Sequence, residues 1–210
     1  SGDAPIFFYS QPKNVHQFGR NSLPTADEVN WIAPQGFDRK TSLHVAQVDR
    51  CFGDFSSWLK THNLYDDSII ILTSDHGNAT GELGRVSHSV VIYPEIMRVP
   101  IIFHLPESMK TEFKYQENTI SSLIDITPSL YYILGNRYLR SSKLLGESFF
   151  AESNDSKIAP RRAELFLASD AHPIYGLLDD YGRFFYVTYA SPAHSYLYDL
   201  KTDLLGTKDV

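Results

Sequence analysis

A single cysteine, Cys51, excludes an internal disulfide, so the redox compartment cannot be read from cross-links. No apolar run approaches the ~18 residues of a membrane-spanning helix, and no signal peptide opens the chain. Both could lie in an upstream segment. Basic residues are in the minority: 19 Lys and Arg against 25 Asp and Glu leave a net charge of −6. No basic stripe is present, which argues against a dedicated nucleic-acid binder. The acidic balance does not argue against a small anionic substrate, because a local cluster of His, Arg and metal outweighs a weak global field. Internal repeats and low-complexity tracts are also missing. What remains is an ordinary globular composition, 42% hydrophobic and 21% charged over 210 residues. That length allows a core of useful size.

The pattern along the chain is α/β. Pro5-Ile6-Phe7-Phe8-Tyr9 is a short apolar, aromatic run that predicts a buried strand. Residues 11–37 are polar and aperiodic and predict a long loop. Val48, Phe52, Phe55 and Leu59 then recur at helical steps, with Val45, Trp58 and His62 beside them, so 38–62 reads as an amphipathic helix ending near Asn63. Ser68-Ile69-Ile70-Ile71-Leu72-Thr73 is apolar without alternation, as a central parallel strand covered on both faces would be. A Gly-rich loop over 75–88 leads to a second buried strand, Arg98-Val99-Pro100-Ile101-Ile102-Phe103. Residues 121–134 predict a helix, with Thr127-Pro128 as N-cap and first helical residue and Gly135 as the stop. After residue 140 the character changes. Short strand-like runs at 164–169, 175–179, 183–189 and 195–200, with a turn at Asp180-Tyr181-Gly182, predict a small antiparallel sheet. The expected organisation is an α/β part over 1–140 and a β subdomain over 141–210.

The residues that carry chemistry follow the Ile-rich strand: Thr73-Ser74-Asp75-His76-Gly77. In open α/β sheets, ligands sit outside the carboxyl ends of the strands, which is where Asp75 and His76 are delivered. A carboxylate oxygen and a neutral imidazole nitrogen are standard ligands of a divalent cation. Gly77 permits the positive φ that would turn both side chains inward. A capped Asp-Gly-type turn is the other reading of the same three residues. His44 and His62 are expected on the helix, at the surface or half-buried, His104 at the continuation of a strand, and His172 and His194 in the C-terminal sheet. Cys51 is expected to pack as a small apolar residue, and Arg98 to brace the loop through a carboxylate such as Glu95.

Downstream context extends the signal. Gly81-Glu82-Leu83-Gly84 and His88 precede Tyr93-Pro94-Glu95-Ile96-Met97-Arg98-Val99-Pro100. Together with Thr73-Ser74-Asp75-His76-Gly77, this resembles the sulfatase family of the alkaline phosphatase superfamily. Pro94 replaces the family's usual first Glu. The likeness extends to Pro5-Ile6-Phe7-Phe8-Tyr9 with His16, to Val48-Asp49-Arg50, and to Leu64-Tyr65-Asp66-Asp67-Ser68. It continues through Ile124-Asp125-Ile126-Thr127-Pro128-Ser129-Leu130 and the closing Leu197-Tyr198-Asp199-Leu200.

The resemblance implies an alkaline-phosphatase-like sheet with flanking helices plus a small C-terminal antiparallel sheet. It implies one divalent metal ion (Ca, Zn, Mn or Mg) on Asp75 and His76. His88, and His16 through its spacing, would serve catalysis by holding or protonating a small anionic ester. The implied activity is hydrolysis of sulfate or phosphate esters. The alternatives are a phospho-head-group transferase and a non-catalytic binding module. The family's nucleophile motif, Cys or Ser-x-Pro-x-Arg, is missing, and Cys51 lacks Pro and Arg at the required offsets. The expectation is therefore that a nucleophile-bearing N-terminal half is a necessary partner and that residues 1–210 alone are inactive. The family suggests a periplasmic, secreted or membrane-anchored extracytoplasmic location, with any anchor upstream.

Overall fold

A computed structural model describes residues 5–12, 30–35, 39–88, 91–116, 120–136, 144–154, 162–169, 172–190 and 192–210. The chain divides into two compact units, Ser1–Tyr65 and Asp66–Val210.

The first unit is built on helix α1, Arg39–Thr61. Its apolar steps of four, three and four form one ridge, as expected. The predicted stop is also found: Asn63 adopts φ 55°. Leu64 N–H donates to Leu59 O at 2.9 Å and Asn63 N–H to Lys60 O at 3.2 Å, closing a left-handed C-terminal cap. At the other end the Trp31 indole donates to Ser42 Oγ at 3.1 Å. Leu59, Ser42 and His44 are the buried residues of this helix, so His44 is not near the surface as expected. The ridge is buried at Leu59 and partly buried at Val48 and Phe52, while Val45 and Trp58 beside it are about half exposed. Cys51 is exposed and not a packing residue. Pro5–Tyr9 belongs to no helix or strand. Ile6 is 93% exposed, and Phe8 meets Phe55 with ring centroids 6.0 Å apart. The buried strand expected here is not found, because no ladder partner stands beside the segment among the described residues of its unit.

The second unit begins with β1, Ile70–Thr73, which pairs with β4, Ile101–His104. Pairing is antiparallel, with Thr73 opposite Ile101. The parallel central strand expected from the unbroken apolar run is thus corrected. Between the two strands, the described residues form a small hairpin, β2 (Ala79–Thr80) with β3 (Val86–Ser87), a 3-10 turn at Glu82–Gly84 inside it, and the one-turn helix α2 (Pro94–Met97). Parallel return is usually carried by a crossover helix of several turns, whereas the α-helix described in this connection is the single turn α2. Helix α3 (Glu107–Glu112) runs into β5 (Phe113–Tyr115), which pairs with β6 (Phe150–Glu152). A core of Leu105, Phe113, Ile133, Phe149 and Phe150 fills this region.

Helix α4, Ile126–Ile133, starts two residues before the expected Pro128 and follows a short 3-10 turn, Leu123–Asp125. Pro128 therefore sits in the first turn, where an N–H would have no intrahelical partner. Gly135, at φ +85°, ends the helix as predicted. Asp125 is fully buried. It accepts from Ser122 N–H at 2.8 Å, from Glu147 N–H at 2.9 Å, and from both Arg162 Nη atoms at 3.0 and 2.8 Å.

The C-terminal antiparallel sheet is found where it was expected, as a meander in the order β10-β9-β8-β7. Its strands are β7 (Leu165–Ala168), β8 (Ile174–Asp179), β9 (Phe184–Ala190) and β10 (Ala193–Asp199). One face buries Ile174, Phe185, Val187 and Tyr198 together with Ile92 and Leu200. On that face Tyr189 stacks on His194, ring centroids 4.4 Å apart. Burial, reinforced by the neighbouring Tyr93 and Tyr198 phenols, pushes the Tyr189 hydroxyl up from 10.0 to about 12. A raised phenol favours the protonated folded state. Stability should therefore be level below pH 10 and decline as pH rises toward 12. Absorbance titration of phenolate should show a late-ionising tyrosine that vanishes in Tyr189→Phe.

Candidate functional site

The loop after β1 is shaped by short-range bonds. Thr73 Oγ1 donates to Pro100 O at 2.8 Å, tying the strand's end to the start of β4. Ser74 Oγ donates to the His76 carbonyl, and His76 N–H donates to Asp75 Oδ1 at 3.0 Å. His76 Nδ1 lies 2.7 Å from Gly77 O. A carbonyl only accepts, so Nδ1 carries the proton and the neutral ring presents its lone pair at Nε2. That Nε2 faces Asp75 Oδ2 at 3.7 Å. A carboxylate oxygen and an imidazole lone pair this close favour a shared proton or cation between them. The imidazole N–H tied to a carbonyl is the usual support of a metal-bound histidine. Both side chains are accessible, with Asp75 exposed and His76 partly so. The donor set therefore fits two ligands of a divalent cation. It is incomplete, since no group of three or more His, Cys, Asp or Glu able to hold a metal occurs among the described residues.

The structure brings His88 to the same place. It follows β3, and its ring stacks on His76 with centroids 4.2 Å apart. Asn78 Nδ2 donates to Ala79 O at 3.2 Å, which turns Asn78 Oδ1 toward His88 Nδ1 at 2.9 Å. His88 therefore donates from Nδ1 and holds its lone pair at Nε2. His16 lies outside the described residues.

Gly77 is needed for a different reason than expected. It is not among the glycines of positive φ. Its N–H donates to Ile96 O at 2.7 Å, and a Cβ there would collide with the Glu95 carbonyl. The loop lies directly on helix α2. Gly77→Ala should lower stability by about 1–3 kcal/mol, the usual cost of forcing extra volume against a rigid wall. Urea unfolding would show it as a lower midpoint at unchanged slope.

The partner of Glu95 is Arg85 and not the expected Arg98. Arg85, in the β2–β3 hairpin, donates from Nη1 to Glu95 at 3.2 Å, and its guanidinium lies 4.2 Å from the Tyr93 ring centre. Arg98 instead donates to Leu204 O at 2.9 Å.

Comparison with known proteins bears on the fold. A protein solved in complex with its substrate, D-glucosamine-2-N,6-O-disulfate, superposes with a TM-score of 0.61 at 22% identity, over 81% of this chain and 35% of that one. The phosphonate monoester hydrolase of Agrobacterium radiobacter gives a TM-score of 0.60 at 22% identity, over 82% of this chain and 36% of that one. With the C-terminal antiparallel sheet, these likenesses define an α/β protein of alkaline-phosphatase-like fold. A curated relative, the multifunctional alkaline phosphatase superfamily protein PehA of Trinickia caryophylli, is 25% identical over 134 residues. The Sulfatase family model matches residues 2–135, and the chain belongs to that family. The matched stretch covers 62% of this chain and 25% of the curated relative's length.

Proposed function

We propose that residues 1–210 carry the metal-loop portion of an enzyme that hydrolyses sulfate or phosphate esters. The observation that carries this reading is the convergence of Asp75 Oδ2 and His76 Nε2 at 3.7 Å with the His88 ring stacked alongside. The relatives support it, since a sulfated glucosamine and a phosphonate monoester share a tetrahedral anion with ionised non-bridging oxygens. A divalent cation held by Asp75 and His76, with further ligands from elsewhere, would neutralise those oxygens and lower the pKa of the attacking group.

The chain's own residues then have distinct tasks. Asp75 contributes negative charge and an oxygen donor. The Gly77 carbonyl keeps the His76 proton on Nδ1, so that Nε2 remains a donor atom. Asn78 does the same for His88, so proton uptake and release at that ring occur at Nε2. Protonated there, His88 can donate to an ester oxygen and support an in-line displacement. The attacking oxygen is assigned to a segment outside residues 1–210, because no Cys or Ser-x-Pro-x-Arg motif is present in them.

The test is turnover of p-nitrophenyl sulfate, p-nitrophenyl phosphate and a phenyl phosphonate by the full-length protein and by residues 1–210. The full-length protein should act on at least one ester, and His88→Ala should lower its kcat by about 10²–10⁴, the usual worth of a positioned acid or base. Turnover by residues 1–210 alone, abolished by Asp75→Ala, would overturn the assignment of the nucleophile. A full-length protein inert toward all three esters, with no divalent cation bound, would support a binding module instead.

A further inference from the structure

We infer that Arg85 is a positioning residue, through which the C-terminal turn of the chain fixes His88 against His76. The inference rests on the reading of those imidazoles given above. Arg85 and Glu95 are largely buried, their side chains 12% and 18% exposed. Beyond its pair with Glu95, Arg85 Nη1 donates to Leu205 O at 2.6 Å and Nη2 donates to the Gly206 carbonyl. One fork thus joins three parts of the second unit: the hairpin that leads to His88, helix α2, and a turn some 120 positions downstream.

Each contact has independent support. The turn is pre-formed by its own bonds: Gly206 N–H donates to Asp203 O at 3.0 Å, and Asp203 Oδ2 accepts from Lys208 N–H at 2.8 Å. Gly206 sits at φ +58°, and a Cβ there would crowd Pro94 at 3.2 Å and Tyr198 at 3.3 Å. The turn is therefore seated on the first residue of α2. The same helix receives Gly77 at the Glu95 carbonyl and the Ile96 carbonyl, so α2 is the common wall for the His76 loop and the C-terminal turn. Arg85 connects the hairpin to that wall by a charged fork. It lies three residues before His88, close enough for its displacement to move the ring.

A lysine at position 85 would keep the charge but not the planar fork, and so could not serve Glu95 and two carbonyls together. The experiment uses the full-length protein with Arg85→Lys, Arg85→Met and Gly206→Ala. Glu95→Gln serves as a second route should the Arg85 variants not fold. Thermal melting checks the fold, and imidazole proton NMR reads the ring-current displacement that the His76–His88 stack imposes. Steady-state kinetics with the responsive p-nitrophenyl ester reads kcat and KM separately.

Folded Arg85→Met, or Glu95→Gln in its place, should lose the stacking displacement and lower kcat about tenfold or more with KM little changed. Arg85→Lys should give an intermediate result. In the His88→Ala background the Arg85 substitutions should have no further effect on kcat, because their action passes through that ring. Unchanged imidazole shifts in a folded Arg85→Met or Glu95→Gln variant would overturn the inference. So would a kcat loss of equal size with and without His88. Failure of the functional reading looks different: the stack would respond to Arg85 as expected, while Asp75→Ala and His88→Ala left turnover untouched.

Discussion

Asp75→Ala in the full-length protein is expected to cut kcat/KM on its ester by about 10³ or more, since one cation's worth of transition-state stabilisation is several kcal/mol and each 1.4 kcal/mol is tenfold. The argument is electrostatic. Asp75 supplies the anionic donor of the loop, and its Oδ1 also accepts His76 N–H at 3.0 Å. Removing the carboxylate would take away the proposed ligand and loosen the backbone that aims His76. Asp75→Asn separates the two effects, because the amide oxygen can still accept that N–H while the charge is gone. It should retain the loop and lose most of the rate. Steady-state kinetics with metal content measured in parallel would check this. Full activity in Asp75→Asn would mean that the carboxylate does no more than finish a turn.

The largest stability effect is expected far from the loop, at Asp125. Its carboxylate is fully buried and satisfied by two backbone N–H groups and a forked Arg162. Arg162→Met would leave that charge in the interior with two of its partners gone. Breaking such a pair from one side typically costs about 3–5 kcal/mol. Asp125→Ala should cost a similar amount, since it also orphans Ser122 and Glu147 N–H and the guanidinium. The double replacement should cost less than the sum, because each single change includes the penalty of the other's stranded charge. Chemical denaturation of the four proteins gives this cycle directly. Strict additivity would show that the fork is not the source of the stability.

Elements set by local spacing were legible. Helix α1 follows from apolar steps over Val48, Phe52, Phe55 and Leu59, and its end from Asn63, a residue that tolerates left-handed backbone. The C-terminal meander follows from alternating runs punctuated by Asp180-Tyr181-Gly182, where the structure has Asp180, Tyr181 and Gly182 all at positive φ. Asp75 and His76 were legible as a pair because both follow directly on a strand.

Other features depend on contacts distant in sequence. Apolar content does not encode strand direction, so the antiparallel return of β4 onto β1 was missed. Nor does it encode cover, so exposed Ile6 and Phe7 read the same as buried ones. Glu95 could have met either Arg98 or Arg85 on spacing alone; what selects Arg85 is the pair of carbonyls offered by the C-terminal turn. Gly77 was recognised as necessary, but its cause is the Glu95 carbonyl against its α-carbon, which only tertiary packing reveals.

The most direct test is calorimetric titration of the metal-stripped full-length protein with zinc or manganese, compared with Asp75→Ala and His76→Ala. If the carboxylate and Nε2 share a cation, both substitutions should weaken binding by at least tenfold, and the His76 imidazole resonances should shift on metal addition while that ring stays tied to Gly77. Equal affinity in all three proteins, with His76 unmoved at saturation, would contradict the account.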